Sequence, residues 1–247
     1  MIFKPVSEEG GAQVTRVQTE LATAIKVLGK LDIDSPKTHD AELAVLKAAR
    51  EYHACLQSFS KGRNLEWLLF EKFDSDEAKI IVAHHEAGHF VVSHLCGLEM
   101  DDISIQKQGM HEGYVEHRKL GNLYYRLDSR DFAKAKEVAE SLITIAYAGY
   151  YAERRINPRV ILFGCQRDFD NAVSIVETNY PEDTPEQRLQ RLDRLAMNAS
   201  NLIRKWWNVV EKLANELIQN ELGSARAAHR LVELELSRSQ VSETIND

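Results

Sequence analysis

The sequence lacks several features that mark broad classes of protein. Its three cysteines, Cys55, Cys96 and Cys165, are far apart and form no C-x-x-C pair, which argues against a disulfide framework or a thiolate zinc site. A reducing, cytoplasmic compartment fits this pattern best. The N-terminal residues contain no apolar signal-peptide core, and the longest uncharged run, SLITIAYAGYYA, is shorter than the roughly 18 residues that span a bilayer. We therefore expect a soluble protein.

Positive charge is also scarce. The chain has 31 Lys and Arg against 38 Asp and Glu, a net charge of -7, and no long run of basic residues. Sequence-independent binding to nucleic acid requires a concentrated positive surface, so the composition argues against that class of function.

Proline is rare, with five in 247 residues, whereas Leu, Ala, Glu, Lys and Arg are plentiful. This composition is typical of a mainly α fold, and several segments repeat apolar residues at three- and four-residue steps. Two short strands with a loop between them predict a small β-sheet or hairpin. The predicted helices cover about 13–31, 40–58, 75–97, 129–156, 167–179, 185–221 and 224–236, and the predicted strands 103–105 and 114–117.

The segment IVAHHEAGHFVVSHL, residues 81–95, carries the most informative motif. At about 100° per residue, His85 and His89 project from one helix face, so both imidazoles can bind one zinc ion. Glu86 is placed to accept a proton from a water held by that metal rather than to bind the metal itself. The pattern predicts zinc-dependent hydrolysis, with the peptide bond as the expected target.

The pattern H-E-x-x-H also occurs by chance, so the alternative is a core helix that happens to be rich in histidine. Two features favour the metal. The helix is apolar nearly all round, which predicts burial, and buried ionisable groups need partners. In addition, Ser75 and Gly97 are plausible start and stop signals that place the motif inside a helix. His84 is more simply a packed or hydrogen-bonded histidine.

A catalytic zinc usually takes three protein ligands, so a third must come from elsewhere in the chain. His94 projects from the opposite side of the helix, and Leu95 occupies the position of the third histidine in the longer zincin pattern. Two acids remain as candidates: Glu153, on an apolar helix face, and Asp168, at the start of a helix. Periodicity leaves both open, because Glu153 also suits an ion pair with arginine and Asp168 also suits a helix cap.

Several ordered segments between about residues 76 and 236 resemble the peptidase domain of the FtsH-type ATP-dependent zinc proteases. VAHHEAGHFVVSHL resembles the family's V-A-x-H-E-A-G-H-A helix, and ISI and GYV resemble its short strands. AGYYAERR is similar to the family's G-G-R-A-A-E-E block, and GCQRDFDNAV to its G-A-x-N-D-L-x-x-A block.

The resemblance implies a role for each matching residue. His85 and His89 match the two zinc histidines of the family, Glu86 its catalytic base and Asp168 its third zinc ligand. Glu153 matches a family glutamate near the site, where such groups orient the ligands.

The chain also departs from the family. It has no G-x-x-x-x-G-K-[ST] phosphate loop and no membrane span, so ATP-driven unfolding is not expected from it. A helical module, residues 1–74, takes the place of the ATPase and is a candidate surface for a partner protein. The FtsH-like domain is predicted at 75–236, followed by a flexible tail at 237–247; a homo-oligomer is left open.

The first hypothesis is thus a soluble zinc endopeptidase that cuts flexible or unfolded protein segments. Gly113, Tyr114 and Val115 are predicted to hold an extended peptide by backbone pairing. The second hypothesis is a catalytically silent scaffold that binds protein partners, and the third is a zinc hydrolase of some other substrate.

Overall fold

The computed structural model describes residues 8–28, 30–31, 36–60, 75–105, 114–117, 132–156, 165–220 and 222–245. Within these residues the fold is mainly α, as the composition predicts, with eight helices and three short strands. The helices are α1 (Glu8–Leu28), α2 (Pro36–Ser60), α3 (Ser75–Leu95), α4 (Phe132–Ile156), α5 (Gln166–Asn179), α6 (Pro185–Lys205), α7 (Trp207–Asn220) and α8 (Ala225–Ile245). The strands are β1 (Met100–Ser104), β2 (Tyr114–His117) and β3 (Leu222–Ser224). None of the described helices is both long and apolar enough to cross a membrane.

The contacts divide the chain into two compact units, the first of which contains α1 and α2. These two helices pack along one another, because each presents an apolar stripe at helical spacing. The buried side chains of this unit include Val17, Leu21 and Leu28 on α1, and Val45, Leu46 and Tyr52 on α2.

The second unit is built around α3, which packs mainly against α4 and α7. The middle of α3 is apolar on almost every side, so it is buried: Ala83, Ala87, Phe90 and Val91 are each 0% exposed. Helix α4 in turn packs against α5 and α6. The histidine-bearing helix is therefore the centre of the core rather than a surface element.

Small residues allow α3 and α4 to approach closely. A β-carbon on Gly88 would lie 2.7 Å from Cβ of Ala152 and 2.8 Å from the backbone oxygen of Ala148. Such distances are shorter than van der Waals contact, so position 88 requires glycine at this spacing. The glycine of the HEAGH motif thus sets the separation of the two helices that frame the site.

Helix α3 has Leu95 as its last residue, and Gly97 terminates it as the sequence predicts. This residue has a φ of 70°, a left-handed conformation that glycine adopts without steric cost. The amide of Gly97 donates to the oxygen of His94 at 3.0 Å, and that of Leu98 donates to the oxygen of Ser93 at 3.0 Å. These bonds form a Schellman motif, which satisfies the last carbonyls of the helix and turns the chain into β1.

The three strands form one antiparallel sheet in the order β2–β1–β3. Ile103 on the central strand pairs with Val115 of β2 and with Gly223 of β3. Both β1 and β2 contact α3, which carries the histidine motif. The sheet confirms the two strands predicted from sequence. The third strand, β3, was not predicted and lies where the helix predicted at 185–221 gives way to the one at 224–236.

Two differences from the predicted helix boundaries exceed the shifts of a few residues seen elsewhere. The span predicted as one helix from 185 to 221 breaks at Trp206, where α6 ends and α7 begins. Likewise, α8 continues to Ile245, through most of the segment predicted as a flexible tail after 236. That segment is polar but contains no Gly or Pro to stop a helix, and Ser237 donates to the oxygen of Glu233 one turn earlier.

A polar network fixes the turn between α5 and α6 against α4. The carboxylate of Glu140 accepts from Arg194 at 2.6 Å, from Arg191 at 3.1 Å and from the Tyr180 hydroxyl at 3.3 Å. The Arg191 guanidinium also lies 3.6 Å from the ring centre of Tyr180. Burial, together with the Glu140 charge, raises the pKa of Tyr180 to about 12.

Candidate metal centre

Three side chains from two helices converge at one point of the second unit. Nε2 of His85 lies 2.9 Å from Nε2 of His89, because the two residues are one turn apart on α3. The Asp168 carboxylate reaches them from the first turn of α5, and its Oδ2 lies 3.2 Å from each of the two nitrogens. We call this set of three donor atoms the outer pocket.

The opposite nitrogen of each histidine ring is held by an acceptor. Nδ1 of His89 lies 2.8 Å from the backbone oxygen of Ile145, and Nδ1 of His85 lies 3.3 Å from Oε2 of Glu153. In the neutral form of each ring, these acceptors favour the proton on Nδ1, which leaves the lone pair on Nε2. Such an arrangement is typical of metal-binding histidines, whose far nitrogen is oriented by a carboxylate or a carbonyl.

The outer pocket has the chemistry of a cation site. Two unprotonated nitrogens and a carboxylate oxygen repel one another at such short range unless a proton or a cation lies among them. Their separations are close to the ~3.3 Å expected between neighbouring donors of a tetrahedral zinc with metal–donor distances of about 2.0–2.1 Å. Although burial raises the pKa of Asp168, the positive charges that His89 and His85 carry when protonated hold it well below its usual range, so the carboxylate is charged.

Gly149 on α4 leaves space beside these donors. A β-carbon at this position would lie 2.5 Å from Nε2 of His89 and 2.7 Å from Nε2 of His85. Any side chain at 149 would therefore occupy the volume into which both nitrogens point. The residues present thus fit a bound zinc in donor type, in spacing and in room.

Glu86 follows His85 on α3 and is only 6% exposed. Burial raises the pKa of its carboxyl, and so does the charge of Asp168, whereas the positive charges that His85 and His89 carry when protonated lower it. The charges of all three donor residues thus change the pKa of Glu86, which shows that its carboxyl lies near them. A buried carboxyl with a raised pKa suits proton transfer.

Cys165 is part of the same neighbourhood, which sequence reasoning missed. Its side chain is fully buried at the start of α5, with Sγ 3.5 Å from Oε2 of Glu153 and 3.8 Å from Nδ1 of His85. Burial, followed by the charge of Glu153, raises the pKa of Cys165 far above its usual value, so the group is a neutral thiol. The only sequence signal was its position three residues before Asp168.

The neighbouring histidines point elsewhere. Nδ1 of His84 bonds the backbone oxygen of Ile80 at 2.8 Å, and its ring stacks on Trp207 with centroids 5.6 Å apart. Nδ1 of His94 lies 3.1 Å from Nδ1 of His229 on α8. Both were expected not to bind the metal, and neither lies in the outer pocket.

The predicted substrate strand is only partly described. Gly113 lies outside the described residues, whereas Tyr114 and Val115 begin β2, the outermost strand of the described sheet on one side. One side of β2 pairs with β1, and the strand contacts α3.

Comparison of the sequence with models of known protein families gave no match, and comparison with curated proteins also gave none.

Proposed function

We propose that this chain is a zinc-dependent endopeptidase whose catalytic domain is of the FtsH type. The observation that carries the proposal is the convergence of His85, His89 and Asp168. Glu86 follows His85 directly on α3. Two acids were open as the third ligand from periodicity alone. The geometry favours Asp168, since Glu153 faces the other nitrogen of His85 and so orients the ring.

His85, His89 and Asp168 would hold the zinc, which would supply a Lewis acid to polarise a carbonyl and lower the pKa of water. Glu86 then accepts a proton from the attacking water at its carboxylate oxygen and delivers it to the leaving amine. Glu153 and the carbonyl of Ile145 keep the two imidazoles turned toward the site throughout.

The proposed substrates are flexible or unfolded protein segments. An extended peptide can add to the outer side of β2 by backbone pairing, with Tyr114 and Val115 as the nearest donors and acceptors. The chain carries no phosphate loop for ATP-driven unfolding, so we propose that it cuts segments that are already accessible. The N-terminal unit is the proposed contact for a partner protein.

The main alternative is a silent scaffold of the same fold. A scaffold needs no buried carboxyl next to the histidine pair, so the presence of Glu86 favours the enzyme. Its burial in a polar cluster carries a cost in free energy that catalysis explains.

The deciding experiment compares the wild type with Glu86→Gln in two assays, zinc content and hydrolysis of an unstructured protein. We expect both proteins to bind zinc and only the wild type to cut, because glutamine keeps the shape but cannot accept the proton. Equal hydrolysis by both would contradict the role of Glu86, and no hydrolysis by a zinc-loaded wild type would favour the scaffold.

A further inference from the structure

His85 belongs to a second compact cluster through its other ring nitrogen. Oε2 of Glu153 lies 3.3 Å from Nδ1 of His85 and 3.5 Å from Sγ of Cys165, and Sγ lies 3.8 Å from Nδ1. These three donors come from α3, α4 and the start of α5, and their atoms lie close enough together to hold one ion. We call them the inner pocket; it shares one imidazole with the outer pocket.

We propose that the inner pocket is a second cation site, selective for thiophilic divalent ions such as Cd²⁺, and that it competes with the outer pocket for His85. The spacing supports one ion bound by all three donors, and the preference for a thiophilic ion follows from the thiolate. In a tetrahedral site with a metal–sulfur bond of about 2.3 Å, sulfur lies roughly 3.6 Å from a nitrogen or oxygen donor. The two distances from Sγ lie on either side of that value.

The charge of the inner pocket also suits a divalent ion. One thiolate, one carboxylate and one neutral imidazole give a complex without net charge, which is the least costly form in a buried place. Cys165 is 0% exposed and Glu153 is 7% exposed. The outer pocket offers a single carboxylate and no sulfur, so the softer ion prefers the inner pocket.

The position of the ring proton on His85 prevents both pockets from holding an ion at the same time. Binding at the inner pocket breaks the S–H bond of Cys165 and releases that proton to solvent, while the Nδ1 lone pair of His85 binds the ion. The ring proton of His85 must then reside on Nε2, which becomes a donor and no longer a metal ligand. An ion in the outer pocket requires the opposite tautomer, in which Nδ1–H donates to Glu153.

The inner-pocket site stands on its own geometry, whereas its competition with a zinc in the outer pocket, and the inhibition of peptide hydrolysis by Cd²⁺ that follows from it, rest on the proposed function. The first test titrates the metal-free full chain with Cd²⁺ and follows the thiolate-to-metal charge-transfer absorption. We expect the absorption in the wild type and in Cys96→Ser, and its loss in Cys165→Ser, which retains a hydrogen-bond donor of similar size. Absorption that persists in Cys165→Ser, or that is missing from the wild type, would overturn the proposal.

A second set of variants distinguishes binding at the inner pocket from binding at the outer pocket. His89→Ala removes a donor of the outer pocket only, so it should keep the cadmium absorption, whereas His85→Ala should lose it; the reverse pattern refutes the assignment. Cd²⁺ added to the zinc-loaded chain should release zinc from the wild type but not from Cys165→Ser. Equal release from both proteins would disprove the competition. A chain that shows the absorption but never cuts peptide refutes the proposed function alone.

Discussion

Gly149 faces His89 so closely that a β-carbon at position 149 would lie 2.5 Å from Nε2 of the histidine. We predict that Gly149→Ala loses zinc, because the new methyl group occupies the space beside both ligating nitrogens. Alanine has the higher helix propensity by about 1 kcal/mol, so α4 itself should persist. The measurements are zinc content and far-ultraviolet circular dichroism. An alanine variant that binds zinc as tightly as the wild type would show that the ion lies elsewhere.

Asp168 and Asp170 provide a matched pair on α5. Asp168 is part of the outer pocket, whereas Asp170 is exposed, and each substitution by alanine removes one negative charge. We predict that Asp168→Ala loses zinc and that Asp170→Ala keeps it. Equilibrium dialysis against zinc measures both. A fully loaded Asp168→Ala would transfer the third-ligand assignment to Glu153.

Oε2 of Glu153 lies 3.3 Å from Nδ1 of His85, the ring nitrogen that does not belong to the outer pocket. Replacing its carboxylate with the amide of glutamine keeps an acceptor but removes the charge that stabilises the Nδ1–H tautomer. We predict that Glu153→Gln weakens zinc binding by roughly 10-fold or more, the effect usual for groups that orient a ligand. Competition with a chromogenic chelator measures this affinity. An unchanged affinity would mean that the hydrogen bond to Glu153 has no part in holding the ring.

Tyr180 should make the fold sensitive to alkali. Burial and Glu140 raise its pKa to about 12, above the ordinary value of 10.0, so the folded protein holds the phenolic proton more tightly than the unfolded chain. This contribution to stability is complete below pH 10 and is lost as the pH rises toward 12. We predict that Tyr180→Phe shows a smaller fall in the free energy of unfolding over that range, measured with urea. Parallel falls in both proteins would contradict the role of Tyr180.

Local chemistry allowed much of the second unit to be predicted from sequence. The four-residue spacing of His85 and His89 fixes their relative position on any helix, and Gly97 stops α3 because it adopts the left-handed conformation. The mainly α class follows from composition and from apolar periodicity.

The remaining features depend on how distant segments meet. The choice between Glu153 and Asp168 requires the packing of α4 against α3 and of α5 against α4, which periodicity along one helix does not contain. For the same reason, neither the position of Cys165 beside Glu153 nor the space that Gly149 leaves next to the histidines could be predicted from sequence. The break at Trp206 was missed because apolar residues recur at helical spacing on both sides of it, with no Gly or Pro between them.

His85, His89 and Asp168 are the proposed ligands of the catalytic zinc. X-ray absorption at the zinc edge, on the purified chain with one equivalent of zinc, reads the ligand set directly. We predict a shell of nitrogen and oxygen at about 2.0–2.1 Å, with two imidazoles and no sulfur. A sulfur scatterer at about 2.3 Å, or a shell without two imidazoles, would contradict this set of ligands.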